Sequence, residues 1–208
     1  MAERTFVERV EDLTGLTVVT YVANAAFLQF IVDGTNDIVR KIKDIAPREL
    51  VHYSTKEAAN TSGAFDIKGV FLFAELLDGV GGIYRMCEEI APNTAQLFLD
   101  TNSLHKATYI NPKSYIIVNK VYTIPTFDAT YKANIYYYVA QSDTAIGATT
   151  LTNFPKNMHY AMGLYLAIKV LDVYLSTELF SNKDSDMFKL TTARRDSFMN
   201  DYNSIFST

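Results

Sequence analysis

The chain is short of most residues that announce a chemistry. Its 208 residues include one cysteine, Cys87, and no tryptophan. A single thiol excludes an internal disulfide and a thiolate zinc site. No run of about 18 apolar residues occurs, so no segment reads as a membrane span. The opening Met-Ala-Glu-Arg is charged and lacks the apolar core of a signal peptide, which leads us to expect a protein that folds in the cytoplasm. A basic excess is missing too: the net charge of −4 argues against a general nucleic-acid binder. Arg40, Lys41 and Lys43 come nearest to a basic patch, and a solvated helix end explains them equally well. The histidines His52, His105 and His159 are far apart and show no metal-ligand spacing. The glycine run at 78–82 lacks the Gly-Lys-Ser/Thr of a phosphate loop, and no helix pattern follows it. Glu88 and Glu89 beside Cys87 raise a thiol's pKa, the opposite of activation. No Ser-centred nucleophile elbow is present. We therefore expect no catalytic, cofactor or metal residue, and no enzyme.

What the chain does have is aromatic surface, with 14 tyrosines and 13 phenylalanines, and nearly half its residues apolar. Tyrosine suits both half-buried strands and partner surfaces, since it brings large contact area and a polar tip. At this length one substantial core, or a core plus an insertion, can be buried.

Helical periodicity marks both ends. Phe6, Val7, Val10 and Leu13 repeat at helical spacing over 5–13, with Gly15 placed to stop the helix. A second helix is expected from an Asn24 cap to about Ile45, with the stripe Phe27, Phe30, Ile31, Gly34, Ile38, Val39 and Ile42, closed by Pro47. Gly34 within that stripe suggests another backbone crossing closely. The longest helix is expected over 153–180, capped by Asn153 with Pro155 in its first turn. Met158, Ala161, Met162, Tyr165, Ile168, Leu171, Leu175 and Leu179 form its stripe. After a break at 181–185, a last helix carries Met187, Leu190, Arg194, Phe198, Tyr202 and Ile205.

The middle reads as β. Residues 49–65 are polar and small, with a loop at 58–63. A strand is expected over 67–77, a hairpin tip at 78–82 and a return over 83–87. A short helical segment follows at 93–99. Next comes a hairpin of 114–118 and 121–124 with Asn119-Lys120 as its turn. Asn134–Ala140 is a β-branched and aromatic strand. Residues 142–151 read as a flexible linker, and the tip and linker are both expected to be mobile. The expected class is α+β: a helical bundle built from both chain ends (1–50 and 151–208) with an inserted antiparallel β region (51–150).

Four segments carry a family resemblance. They are Phe27-Leu-Gln-Phe-Ile-Val-Asp-Gly-Thr-Asn-Asp-Ile-Val, Gly82-Ile-Tyr-Arg-Met-Cys-Glu-Glu-Ile, Ser114-Tyr-Ile-Ile-Val-Asn-Lys-Val-Tyr-Thr-Ile-Pro, and Asn153-Phe-Pro-Lys-Asn-Met-His-Tyr with its following helix. In order and character the chain resembles head–tail connector (adaptor) proteins of tailed bacteriophages, especially of marine short-tailed phages. The resemblance implies a homo-oligomeric ring of about 12 copies, with each copy offering two different complementary faces. It also implies the portal and a tail or nozzle protein as partners, location in the virion neck or tail, and DNA passing through the lumen without sequence-specific binding. Another neck or tail-tube component, or a ligand-binding protein with an aromatic β pocket, are the alternatives.

The last helix is the expected partner-binding arm. Arg194, Arg195, Phe198, Tyr202 and Phe206 mix cationic and aromatic groups, the types enriched at interface anchors. The competing expectation is a helix folded back on its own domain.

Overall fold

A computed structural model describes residues 4–59, 63–78, 82–128, 130–140, 148–151, 153–181 and 185–207. In chain order the elements are α1 (Phe6–Thr14), α2 (Val18–Tyr21), α3 (Asn24–Ile45), β1 (Thr55–Ala59), β2 (Phe65–Asp66), β3 (Val70–Leu77), β4 (Tyr84–Met86) and β5 (Glu88–Glu89). Then follow α4 (Ala95–Leu99), β6 (Lys113–Ile117), β7 (Lys120–Ile124), β8 (Ala133–Tyr138), α5 (His159–Ser181) and α6 (Ser185–Ser204). The chain is thus mixed α and β. It divides into two compact units, one holding the chain up to Ala46 and from Ala140 onward, the other Pro47–Val139. The expected boundaries were 50/51 and 150/151.

In the helical unit, α1 begins with a capping box. The Thr5 hydroxyl accepts from the Glu8 N–H at 3.1 Å, and the Glu8 carboxylate accepts from the Thr5 N–H at 2.8 Å. Gly15 ends the helix at φ 71°, the left-handed conformation that glycine adopts without a Cβ clash. The short helix α2 had no signal in the sequence, because four residues are too few for a period. In α3, Asn24 is the first helical residue and makes no side-chain cap. The buried face holds Phe27, Ile31, Gly34, Thr35, Ile38, Val39 and Ile42, while Phe30 is only half-buried.

The long helix differs most from its expectation. Asn153 does not cap it: its φ is 55°, a 3₁₀ turn occupies Lys156–Met158, and α5 starts at His159. From Ala161 to Leu171 burial runs nearly all round the helix, with only Tyr165 and Lys169 half-exposed. A helix apolar on all sides is a central one, and the three- and four-residue spacing picked out only part of its surface. Gly34 meets α5 here. A Cβ on Gly34 would lie 2.7 Å from the Tyr165 ring and 3.0 Å from Met162 Sδ, so side chains, not a backbone, make the close approach. The linker expected at 142–151 falls largely on 141–147, outside the described residues. Beyond it the Ala148 carbonyl accepts from the Phe6 N–H at 3.1 Å, and Leu151 is buried.

The β unit holds two four-stranded sheets, ordered β1-β8-β3-β4 and β2-β7-β6-β5. Ladders are antiparallel, as expected, except the short β5–β6 ladder, which runs parallel. The stretch 49–65, read as polar and small with a loop at 58–63, holds most of a 3₁₀ segment, Pro47–Tyr53, and strand β1, whose exposed polar face had hidden it. Phe71, Ala74 and Leu76 all join one core with Ile135, Tyr137 and Val121. A bulge between Phe71 and Phe73 makes this possible, since one extra residue shifts the alternation by one. The β3–β4 hairpin forms as expected, with Glu75 opposite Met86 and Leu77 opposite Tyr84, although 79–81 of its tip lie outside the described residues. In the β6–β7 hairpin the turn is Val118-Asn119, one residue earlier than expected, with φ of 44° and 60°.

Candidate partner-binding surfaces

Helix α6 lies back against its own unit. The Tyr202 side chain is 3% exposed, and its hydroxyl donates to Asp37 Oδ2 at 2.5 Å. Burial, and then the Asp37 carboxylate, push the Tyr202 phenol well above the usual tyrosine range. Lys41 Nζ stands 4.0 Å from the Tyr202 ring centre and 5.1 Å from that of Phe206, and pairs with Asp37 at 3.5 Å. Arg195 pairs with Asp172 at 3.0 Å and Asp196 at 3.1 Å; the bonds to Asp196 and Asp172 raise its pKa further. Arg194 donates to the Thr14 carbonyl at 3.2 Å, at the C-terminal end of α1 where a cation is favoured. Its guanidinium also lies 5.8 Å from the Phe198 ring.

Of the five expected anchors, Tyr202 and Phe206 therefore meet on Lys41, and Arg194 meets Phe198. Arg195 stands apart, paired with Asp172 of α5. Asp37, Lys41, Asp172 and Thr14 are their intrachain counterparts, and none was foreseen. Nothing in a sequence pairs Asp37 with Tyr202 across 165 positions.

The first half of α6 is different. Met187, Phe188 and Leu190 are exposed, Leu190 at 67%. Met187 and Leu190 border a cleft of about 520 Å³ between the end of α1, the middle of α5 and α6. Leu16, Leu171, Tyr174 and Leu190 make it apolar, and among the described residues Arg194 is the charged group in its lining.

A second apolar surface lies in the β unit. Leu97 and Leu99 of α4 are exposed, Ile110 more so, and Leu104 is 102% exposed. The segment after α4 has no regular structure but is tied by short bonds. Asp100 Oδ1 accepts from the Asn102 N–H at 2.9 Å, Ser103 N–H donates to the Asp100 carbonyl at 3.1 Å, and the Ser103 hydroxyl accepts from the His105 N–H at 3.1 Å. Local turns of this kind tie down the backbone of the segment that carries Leu99, Asp100 and Leu104. Sequence reading passed over Leu104, because a lone leucine in a polar segment has no period.

Cys87, His159 and Asp78 each pack against specific neighbours. Cys87 is buried in the β core, and burial, with the Glu75 charge second, pushes its thiol up to about 12. The causes are therefore burial and Glu75, in place of the expected Glu88 and Glu89. His159 sits between the Phe6 and Phe154 rings, at 5.5 and 6.0 Å. Asp78, at the start of the glycine run, is buried with its carboxylate 3.4 Å from Arg85 Nε. Among the described residues no group of three or more His, Cys, Asp or Glu could hold a metal ion. Among the same residues no helix is long and apolar enough to cross a membrane.

No protein-family model matches the chain, and no curated protein matches it.

Proposed function

We propose that the chain is a virion structural protein, a head–tail connector whose copies close into a ring of about 12. The ring joins the capsid portal to the tail, and DNA passes through its lumen without sequence-specific binding. In this reading the helices from the two chain ends form the bundle that makes the ring's body, and the β region is an insertion facing the tail or the exterior. The chain contributes shape and contact, not turnover.

One observation carries the reading. The folded chain leaves two unlike apolar surfaces in water, the α1–α5–α6 cleft with Leu190 and the segment with Leu104. A closed ring is built from heterologous contacts, and those need two different faces on every copy. Scattered exposed apolar residues are ordinary. A leucine wholly in water beside a turn-tied backbone, together with an apolar cleft elsewhere on the chain, is a sharper arrangement.

The test is to mix the purified chain with the portal of the same particle and image the products by negative-stain microscopy. Rings of the chain seated on the portal support the reading. A chain that stays monomeric and leaves the portal bare overturns it. Crosslinks that reach tube or nozzle proteins and never the portal would move the chain to another part of the neck or tail.

A further inference from the structure

We propose that the cleft between α1, α5 and α6 receives the Leu99–Asp100–Leu104 segment of a second copy of this chain. The inference rests on the ring reading above only for closure of the assembly. The contact itself is argued from the two surfaces.

The cleft walls are aliphatic and aromatic, from Leu16, Leu171, Tyr174 and Leu190. Among the described lining residues one is a cation, Arg194, which spends one N–H on the Thr14 carbonyl. A guanidinium carries five N–H donors in a fixed fork, so others remain to meet an anion. An occupant suited to this site is therefore an apolar knob with a carboxylate beside it. The segment offers that combination. Leu104 is fully in water, Leu99 is exposed, and the Asp100 side chain lies between them in sequence with a backbone N–H on Oδ1. Its turns are already closed, so little ordering entropy stands against docking.

A knob and a cleft on different parts of one molecule make a head-to-tail contact. Such a contact repeats from copy to copy, and it gives a ring when the rotation closes and a filament when it does not. The Asp100–Arg194 pair would add register and salt dependence more than affinity.

Cysteine trapping tests the contact on the full-length chain. Leu104→Cys and Leu190→Cys are made as separate proteins, and Cys87 stays buried with its thiol held protonated. Mixed under mild oxidation, they should give a heterodisulfide dimer that neither variant forms alone. A second measurement follows self-association of uncrosslinked protein by sedimentation velocity. Leu104→Ser should weaken it about tenfold or more, the cost of one lost leucine contact, while leaving the melting temperature unchanged. Asp100→Arg and Arg194→Asp should each weaken it, and the double reversal should recover part of the loss.

Absence of the heterodisulfide, or its formation no faster than homodisulfides, overturns the proposal. So does trapping of Leu190→Cys on the portal but never on Leu104→Cys. The two readings fail separately. Rings on the portal without the heterodisulfide keep the connector and remove this contact. A heterodisulfide in a chain that ignores the portal keeps the contact and removes the connector.

Discussion

The Tyr202 hydroxyl donates a 2.5 Å hydrogen bond to the Asp37 carboxylate and so fastens the end of α6 to the middle of α3. Asp37 also pairs with Lys41, whose ammonium lies over the Tyr202 and Phe206 rings. Four side chains from two segments, α3 and the C-terminal end of the chain, thus form one clasp, and the last turn of α6 has a place on its own unit.

Tyr202→Phe keeps the ring in the clasp and deletes the bond. A hydrogen bond to a charged group contributes roughly 1.5–3 kcal/mol, and the partial exposure of Asp37 places the loss toward about 1 kcal/mol. Urea unfolding should show a lower midpoint with an unchanged slope. An unchanged midpoint would mean that the clasp carries no stability.

The same bond sets an alkaline dependence. The folded-state pKa of Tyr202 lies above its unfolded value, so the contribution is complete below about pH 10 and is lost as pH rises toward the folded value. Stability of the native chain should therefore fall more steeply above about pH 10 than that of Tyr202→Phe. Parallel curves from chemical denaturation at pH 9, 10 and 11 would refute this.

Ile38 and Ile168 are both buried, one on α3 and one on α5. An aspartate at either position would strand a charge among apolar neighbours, a cost that exceeds much of a typical folding free energy of about 5–15 kcal/mol. Both Ile38→Asp and Ile168→Asp should lose cooperative melting by circular dichroism. A sharp transition in either would contradict the burial.

Gly34→Ala sets two effects against each other. Alanine gains about 1 kcal/mol of helix propensity. Its Cβ would sit 2.7 Å from the Tyr165 ring, inside any real contact distance, and overpacking of this kind costs about 1–3 kcal/mol. We expect a net fall in melting temperature, and partial recovery when Tyr165→Leu is added. A stabilised Gly34→Ala would show that α5 yields freely.

Val118 is a β-branched residue at φ 44° in an exposed two-residue turn. Primed hairpin turns favour Asn and Gly, and a branched side chain there stores strain of about 1–3 kcal/mol. Val118→Asn should raise the melting temperature, provided that the hairpin tip has no partner in the measurement. An unchanged or lower value would show that Val118 is not strained.

The turn also shows how a legible segment was misplaced. The hairpin 113–124 is evident from its β-branched and aromatic alternation, and asparagine marks a left-handed position. The pattern could not say whether Asn119 is the first or the second turn residue. Cross-strand pairing decides this, with Ile117 opposite Lys120 and Tyr115 opposite Tyr122. The cap of α5 failed for a related reason. Asn153 and Pro155 are good helix-start residues, yet Phe154 is drawn into the core and the chain must turn once more before the helix begins.

By itself the sequence determined what local chemistry controls. Thr5, Glu8 and Gly15 delimit α1, the stripe from Phe27 to Ile42 makes α3, and the branched and aromatic runs make β3, β6, β7 and β8. These follow from propensity, capping and period, which act within a few residues. The tertiary structure alone decided what depends on distant partners. It buried α5 nearly all round from Ala161 to Leu171, shifted the face of β3 by a bulge, tied Tyr202 to Asp37, and left Leu104 in water while Leu190 borders a cleft. Burial is a property of what arrives from elsewhere in the chain, and no period in one segment encodes it.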